Sequence, residues 1–366
     1  MKYIVSIFRL IFGAVFMFSG FVKAIDPYGT AFKMEEYINV FGMSGLFENF
    51  PSIYIITSVI MCSIEFMIGF MMFFHLYRKA ADWMAAIIML FFTTLTLIDA
   101  LTNKVSDCGC FGDFIKLTNW ETFWKNIVLD VILLVILIFT TNRHNRLYRW
   151  QSLLLMLVGI VLVVGFCIRN ILYEPIVDFR AWKVGNQIIL PKNKQKPMVS
   201  YATYRNNETN KVEVFPMDEL QQAYESDTAF AQHWTWIASE VKNPNTISAS
   251  GFAMMDLVSQ SDHAYDFMMQ DDTVLIVPCV DLSKPNEQSV KRVLKYVASK
   301  GKPVAIITAS GSGKWDNFIT KYNIPEIPLY STDDKAIEAM VRSSIAVVEM
   351  YDGKVISKKS WRSLPK

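Results

Sequence analysis

Trp83-Met84-Ala85-Ala86-Ile87-Ile88-Met89-Leu90-Phe91-Phe92-Thr93-Thr94-Leu95-Thr96-Leu97-Ile98-Asp99-Ala100-Leu101 is an apolar run with one charge, Asp99, near its end. As a helix it covers about 28 Å, close to the ~30 Å hydrocarbon layer of a bilayer. Outward from it lie four more runs of the same kind: Tyr3–Val22 and Ile53–Phe74 before it, Trp124–Thr141 and Ser152–Ile168 after it. None recurs beyond Arg169. The whole chain of 366 residues is 52% hydrophobic and 19% charged, more apolar than the ~45–50% of soluble proteins. Its net charge of +2 excludes a strongly basic nucleic-acid binder and an acidic disordered chain. The segment Leu172–Lys366 carries 23 basic and 23 acidic residues, the balance of a soluble, neutral domain. The first run has Phe21-Val22-Lys23 where a signal peptide needs a small-x-small site, so we read it as a retained helix.

The basic residues of the connecting loops set an expected orientation. Lys2, the Arg78-Lys79 pair, and Arg143, Arg146 and Arg149 fall in alternate loops, which must share one side. Their bias makes that side cytoplasmic. Lys23–Pro51, Thr102–Glu121 and the carboxy-terminal domain then lie outside. In a bacterium this is an inner-membrane protein with five spans, a cytoplasmic amino terminus and a periplasmic domain, where disulfides persist.

Five cysteines are too few for a disulfide-dense scaffold. Cys108-Gly109-Cys110-Phe111-Gly112-Asp113 sits on the outer side, just before the fourth run. With Gly109 relaxing the backbone, Cys108 and Cys110 could close a small strained ring, the exchange-competent kind of disulfide. They could equally be an inert staple. Asp107 and Asp113 disfavour a strongly activated thiolate. Two sulfurs without a nearby histidine fall short of a zinc set, so no metal site is expected.

The sequence resembles a known family. Phe16-Met17-Phe18-Ser19-Gly20-Phe21-Val22-Lys23, Asp26-Pro27 and Lys33-Met34-Glu35-Glu36-Tyr37 look like the opening of DoxX/MauE-type membrane proteins. Asp99-Ala100-Leu101-Thr102-Asn103, the stretch Ser106–Asp113 and Leu117-Thr118-Asn119-Trp120-Glu121-Thr122-Phe123 strengthen the likeness, which is nearest to long members with a fifth helix and a periplasmic domain. The resemblance implies a four-helix bundle over 1–141, distantly similar to quinone-linked disulfide enzymes of the VKOR and DsbB type. It also implies, for the MauE branch, maturation of a disulfide-rich partner. A cytoplasmic loop and fifth helix then occupy 142–171, and the periplasmic domain 172–366.

Ionisable residues inside spans are costly and usually paired or functional. Depth arithmetic sets Arg9 opposite Glu65, as an ion pair or as a proton or quinone-headgroup site, and Lys23 opposite Asp99 at the outer interface. Asp130 comes about six residues below the outer surface, near the Cys-Gly-Cys turn. Cys62 and Cys167 read as small packing residues, Cys167 alone lying at a depth where it could meet the loop cysteines.

In the soluble half, Thr273–Cys279, Pro303–Thr308, Ile327–Tyr330, Ile345–Tyr351 and Lys354–Lys358 read as strands, and Glu287–Ser299, Trp315–Tyr322 and Asp334–Met340 as helices. Asp352-Gly353 is a type I′ hairpin signal. This βαβαβαββ order is similar to a thioredoxin-like α/β domain over about 271–366. Cys279-Val280-Asp281-Leu282 has one cysteine where an active member carries two, and Ser343-Ser344 stands where a proline would precede the hairpin. The domain is therefore read as a docking module, with amphipathic helices expected at Met217–Tyr224 and Phe230–Val241. Gly311-Ser312-Gly313-Lys314 lacks the spacing of a phosphate loop, the four histidines are dispersed, and Asn207-Glu208-Thr209 means little in a bacterial chain.

Two functional readings stand. One is a membrane thiol–disulfide protein acting through Cys108 and Cys110, with a periplasmic or membrane protein partner and room for a quinone. The other is a non-enzymatic assembly subunit that docks a partner through a redox-dead domain. Both expect lipid around the bundle and no nucleic acid.

Overall fold

The computed structural model describes residues 2–43, 52–105, 109–112, 114–115, 117–139, 148–196, 199–217, 219–220, 230–242 and 252–366. It divides into two compact units, Met1–Phe179 and Arg180–Lys366. The fifth apolar helix therefore groups with the other four.

In the first unit the helices are α1 (Lys2–Ile25), α2 (Pro27–Val40), α3 (Ser52–Phe73), α4 (Arg78–Thr102), α5 (Asn119–Phe139) and α6 (Arg149–Leu172). All except α2 are long and apolar enough to cross a membrane, as an integral membrane protein requires. Asp26 caps α2 by accepting from the Gly29 amide at 3.0 Å, and Pro27 takes the first-turn position where its missing N–H costs nothing. A core of Phe12, Phe16, Ile68, Met72, Met89 and Leu133 joins α1, α3, α4 and α5.

Glycines set the register of α1 on α3. A Cβ added at Gly13 would lie 2.7 Å from the Phe73 amide nitrogen, and one at Gly20 only 2.5 Å from that of Phe66. Gly69 faces the backbone between Phe16 and Met17 with the same lack of space. Without hydrophobic drive between helices in lipid, backbone approach at small residues supplies the packing energy. α6 meets α3 less closely, Gly159 leaving room for the Met67 side chain, whose sulfur would lie 3.1 Å from an added Cβ.

The second unit holds two sheets. One is antiparallel, with β1 (Val199–Asn206) flanked by β2 (Val212–Pro216) and β3 (Trp234–Lys242). The other has five strands: β4 (Val274–Cys279), β5 (Val304–Thr308), β6 (Leu329–Ser331), β7 (Ala346–Tyr351) and β8 (Lys354–Ser360), in the order β6-β5-β4-β7-β8. β4, β5 and β6 are parallel neighbours, while β7 and β8 run antiparallel. β4 is buried throughout, so its side chains feed two cores. Val274 and Ile276 pack beside α7 (Ala264–Met268) and Ile337 and Met340 of α10 (Asp334–Met340). Leu275, Val277 and Cys279 pack beside α8 (Glu287–Lys300) and α9 (Trp315–Tyr322). Asp352 and Gly353 both take positive φ (45° and 71°), as the I′ turn requires.

One expected helix is corrected. Across Phe230–Val241 only Phe230–His233 is helical, and Trp234 onward is β3, paired along β1. Trp234-Thr235-Trp236-Ile237 is rich in aromatic and β-branched residues, and a partner strand decides such a segment in favour of β. Most of the helix expected at Met217–Tyr224 lies outside the described residues.

Gly20→Ala should destabilise the bundle by about 1–3 kcal/mol, because the Phe66 backbone has nowhere to go. Gly165, with no atom within 4 Å of an added Cβ, is the control. Gly165→Ala should be neutral or raise stability by up to about 1 kcal/mol. Thermal unfolding in detergent separates the two.

Candidate functional site

The loop between α4 and α5 is built to return across the end of the bundle. α4 stops at Asn103, whose left-handed backbone (φ 48°) turns its amide back to the Asp99 carbonyl at 2.9 Å. Asn119, the first residue of α5, donates to the Val105 carbonyl at 2.9 Å and so closes the base of the loop. Gly109 (φ 62°) and Gly112 (φ 51°) supply the two positive-φ positions, with the Gly112 amide on the Gly109 carbonyl at 3.0 Å. The Phe111 ring packs against Phe18 of α1 and carries the Lys125 ammonium 4.6 Å from its centre.

Cys110 is half-buried on this loop. Its carbonyl accepts from Ser19 Oγ at 2.7 Å, Ser19 Oγ lies 3.4 Å from Lys23 Nζ, and Lys23 Nζ donates to Glu65 Oε2 at 2.6 Å. A single hydrogen-bonded chain thus runs from a buried ion pair to the backbone of the cysteine. Ser19, Lys23, Glu65, Cys110, Lys125 and Asn126 line one cavity of about 10 Å³, the least that admits a single water. Cys110 and Cys62 both lie within electrostatic range of the Lys23 ammonium. Asp107, Cys108 and Asp113 lie outside the described residues.

The intramembrane pairings differ from those expected. Arg9 pairs with Asp82, not with Glu65. Lys23 pairs with Glu65, not with Asp99, whose carboxylate instead accepts from Tyr37 of α2. Asp130 accepts from Thr93 Oγ1 at 2.7 Å. Depth arithmetic treated the ends of α1 and α3 as level. The glycine contacts set Gly20 against Phe66, so one turn further on Lys23 reaches the turn that carries Glu65. Asp82 belongs to the bundle although it precedes Trp83, where the apolar run begins. The seven-residue spacing of Gly13 and Gly20, with Gly69 in the next span, was the signal that would have fixed the register.

Cys62 on α3 and Cys167 on α6 are free cysteines, fully buried and members of one core cluster. Cys167 therefore meets Cys62 rather than the loop. In the second unit Cys279 is also buried, and desolvation, with the Asp281 carboxylate nearby, pushes its thiol up to about 12. Against the opposing effect of partial burial, donors from Ser283 and Lys314 hold Asp281 at about 2. Cys279 is thus a protonated packing residue at physiological pH.

Residues 1–141 match the family model described as methylamine utilisation protein MauE. Residues 1–141 are thus similar to MauE, as the cysteine loop and opening motif led us to expect, and the match ends before α6. No curated protein and no solved structure matches the chain.

Two outcomes follow. Removing one partner of a buried ion pair strands the other charge, so Glu65→Leu should cost about 3–5 kcal/mol, while adding Lys23→Met should recover most of it; denaturant unfolding in detergent reads the difference. Cys279 should resist maleimide between pH 7 and 9 in the native protein and react once unfolded, since its thiolate forms only as pH approaches about 12.

Proposed function

We propose that this chain, MauE-like over residues 1–141, is a bacterial inner-membrane thiol–disulfide protein that works through Cys108 and Cys110. The observation that carries this reading is the coupling of Cys110 to the Lys23–Glu65 pair through Ser19. Thiolates do the attacking in disulfide exchange, and a cation beside a cysteine favours that form. The Ser19 bond holds the Cys110 backbone in place, and the residue is only half-buried at the end of the bundle. Attack by one loop thiolate on a partner disulfide gives a mixed disulfide and a released partner thiol. The second loop cysteine resolves it, and the loop is left oxidised. The partner is a protein rich in disulfides, and the positive residues of alternate loops support a periplasmic location for this end. A quinone is the membrane oxidant or reductant that such chemistry would accept.

A second reading is favoured by unit 2. The parallel β4-α8-β5 crossover beside the antiparallel β7-β8 hairpin supports a thioredoxin-like domain. Its one cysteine is buried and protonated, which suits a docking module without its own redox cycle. The two readings combine if this domain holds the partner whose disulfides the loop exchanges.

The single variants Cys108→Ser and Cys110→Ser test the reading. One should trap a partner as a mixed disulfide on non-reducing gels and the other should not. Lower stability in both with no adduct in either would leave the docking reading standing alone. For orientation, an impermeant thiol probe should label a cysteine placed at Asn207 in intact cells and miss one placed at Asn145; the reverse pattern would put the loop in a reducing compartment and end the exchange reading.

A further inference from the structure

We infer that Cys62 and Cys167 are a second redox pair, a buried dithiol that closes to a disulfide between α3 and α6. Two independent features of the fold place the two residues together. α6 lies on α3 through the Gly159–Met67 contact, and eight residues further along α6 Cys167 joins Cys62, Val163 and Ala24 in one buried cluster. Asn170, less than a turn beyond Cys167, donates to the Ala24 carbonyl at 3.0 Å and pins α6 to the end of α1. Both cysteines lie in that one buried cluster and are wholly shielded from solvent, so a disulfide, with its ~2.05 Å S–S bond, would form without either side chain leaving the core.

Two packing residues would account for the burial but not for the company. Lys23 lines one cavity with Cys110, and Cys62 lies within electrostatic range of the same ammonium. For its oxidant the pair rests on the exchange proposed above. The Cys62 thiolate attacks the Cys110 sulfur of a Cys110–S–S–R disulfide and expels R–S⁻, which takes the Cys62 proton. Cys167 then attacks the Cys62 sulfur and releases Cys110, which takes the Cys167 proton. One disulfide and two thiols enter and leave, two electrons pass outward to Cys110 and R, and no proton is left over. The product ties the fifth helix covalently to the second.

The closure is tested in full-length protein in native membranes carrying Cys108→Ser, Cys110→Ser and Cys279→Ser. Diamide, a membrane-permeant dithiol oxidant, is applied, and thiols are then counted with a maleimide-polyethylene glycol in denaturant. Two labels should be present before oxidation and none after, and adding Cys62→Ser should give one label in both states. Two labels surviving diamide would overturn the proposal, whatever the loop variants do with partners. Exchange between the pairs is tested separately. In an otherwise unchanged chain, Cys167→Ser (or Cys167→Ala, should serine unsettle the cluster) should accumulate a Cys62–Cys110 link, identified as a cross-linked peptide by mass spectrometry. Closure by diamide without that link would overturn the relay to Cys110 while leaving the loop's exchange with partners untouched.

Discussion

Backbone contact between α1 and α3 governs what the rest of the bundle can do. Gly13, Gly20 and Gly69 put no side chain of their own into the seam, so the two helices meet at main-chain distance and in one register. A slip of one turn, about 5.4 Å, would push a side chain into backbone and leave Lys23 and Glu65 in apolar surroundings without each other. The ion pair and the glycine seam therefore specify the same alignment, one by repulsion and one by attraction. Arg9 and Asp82 repeat the arrangement toward the other end, joining α1 to α4.

From that alignment the position of the cysteine loop follows. Ser19 and Lys23 stand one turn apart on α1, so fixing Lys23 against Glu65 presents the Ser19 hydroxyl at the end of the bundle. The Cys110 carbonyl lands on it. Asn103 and Asn119 shorten the connection, and the positive φ values at Gly109 and Gly112 let the chain double back without strain. The Cys110 backbone is thus positioned by helices rather than by the loop's own length, as the proposed exchange would require for a defined approach direction.

The spans were legible because burial in lipid is a compositional demand, and five runs meet it. β4 to β8 were legible for a related reason: continuous apolar strands and an Asp-Gly turn leave few alternatives. The polar pairings were not, because they depend on where helix ends lie relative to one another. α1 ends at Ile25 and the chain turns at once into α2, whereas α3 continues outward past that level, and no count of residues from the span ends carries this information. Phe230–Val241 misled for a different reason. Phe230, Trp234, Ile237 and Val241 fit a helical stripe, and the strand was settled by a partner, β1, that local periodicity cannot see. The meeting of Cys62 with Cys167 had no local signal of any kind.

The distribution of polar groups along the bundle limits the chemistry further. Arg9 and Asp82 lie some fourteen residues, about 21 Å, along α1 from Lys23 and Glu65. Between them the core is Phe12, Phe16, Ile68, Met72 and Leu133, all buried and all without a proton to pass. This layer separates the two ion pairs. A reaction at the Cys110 end that releases and consumes no net protons needs no proton passage across this layer. Thiol–disulfide exchange meets the condition, because each thiol that is oxidised gives up the proton that the newly released thiol takes. The Lys23–Glu65 pair, already neutral as a unit, needs no change in net charge for such an exchange to proceed, and the apolar layer beneath it separates the Cys110 end of the bundle from the other.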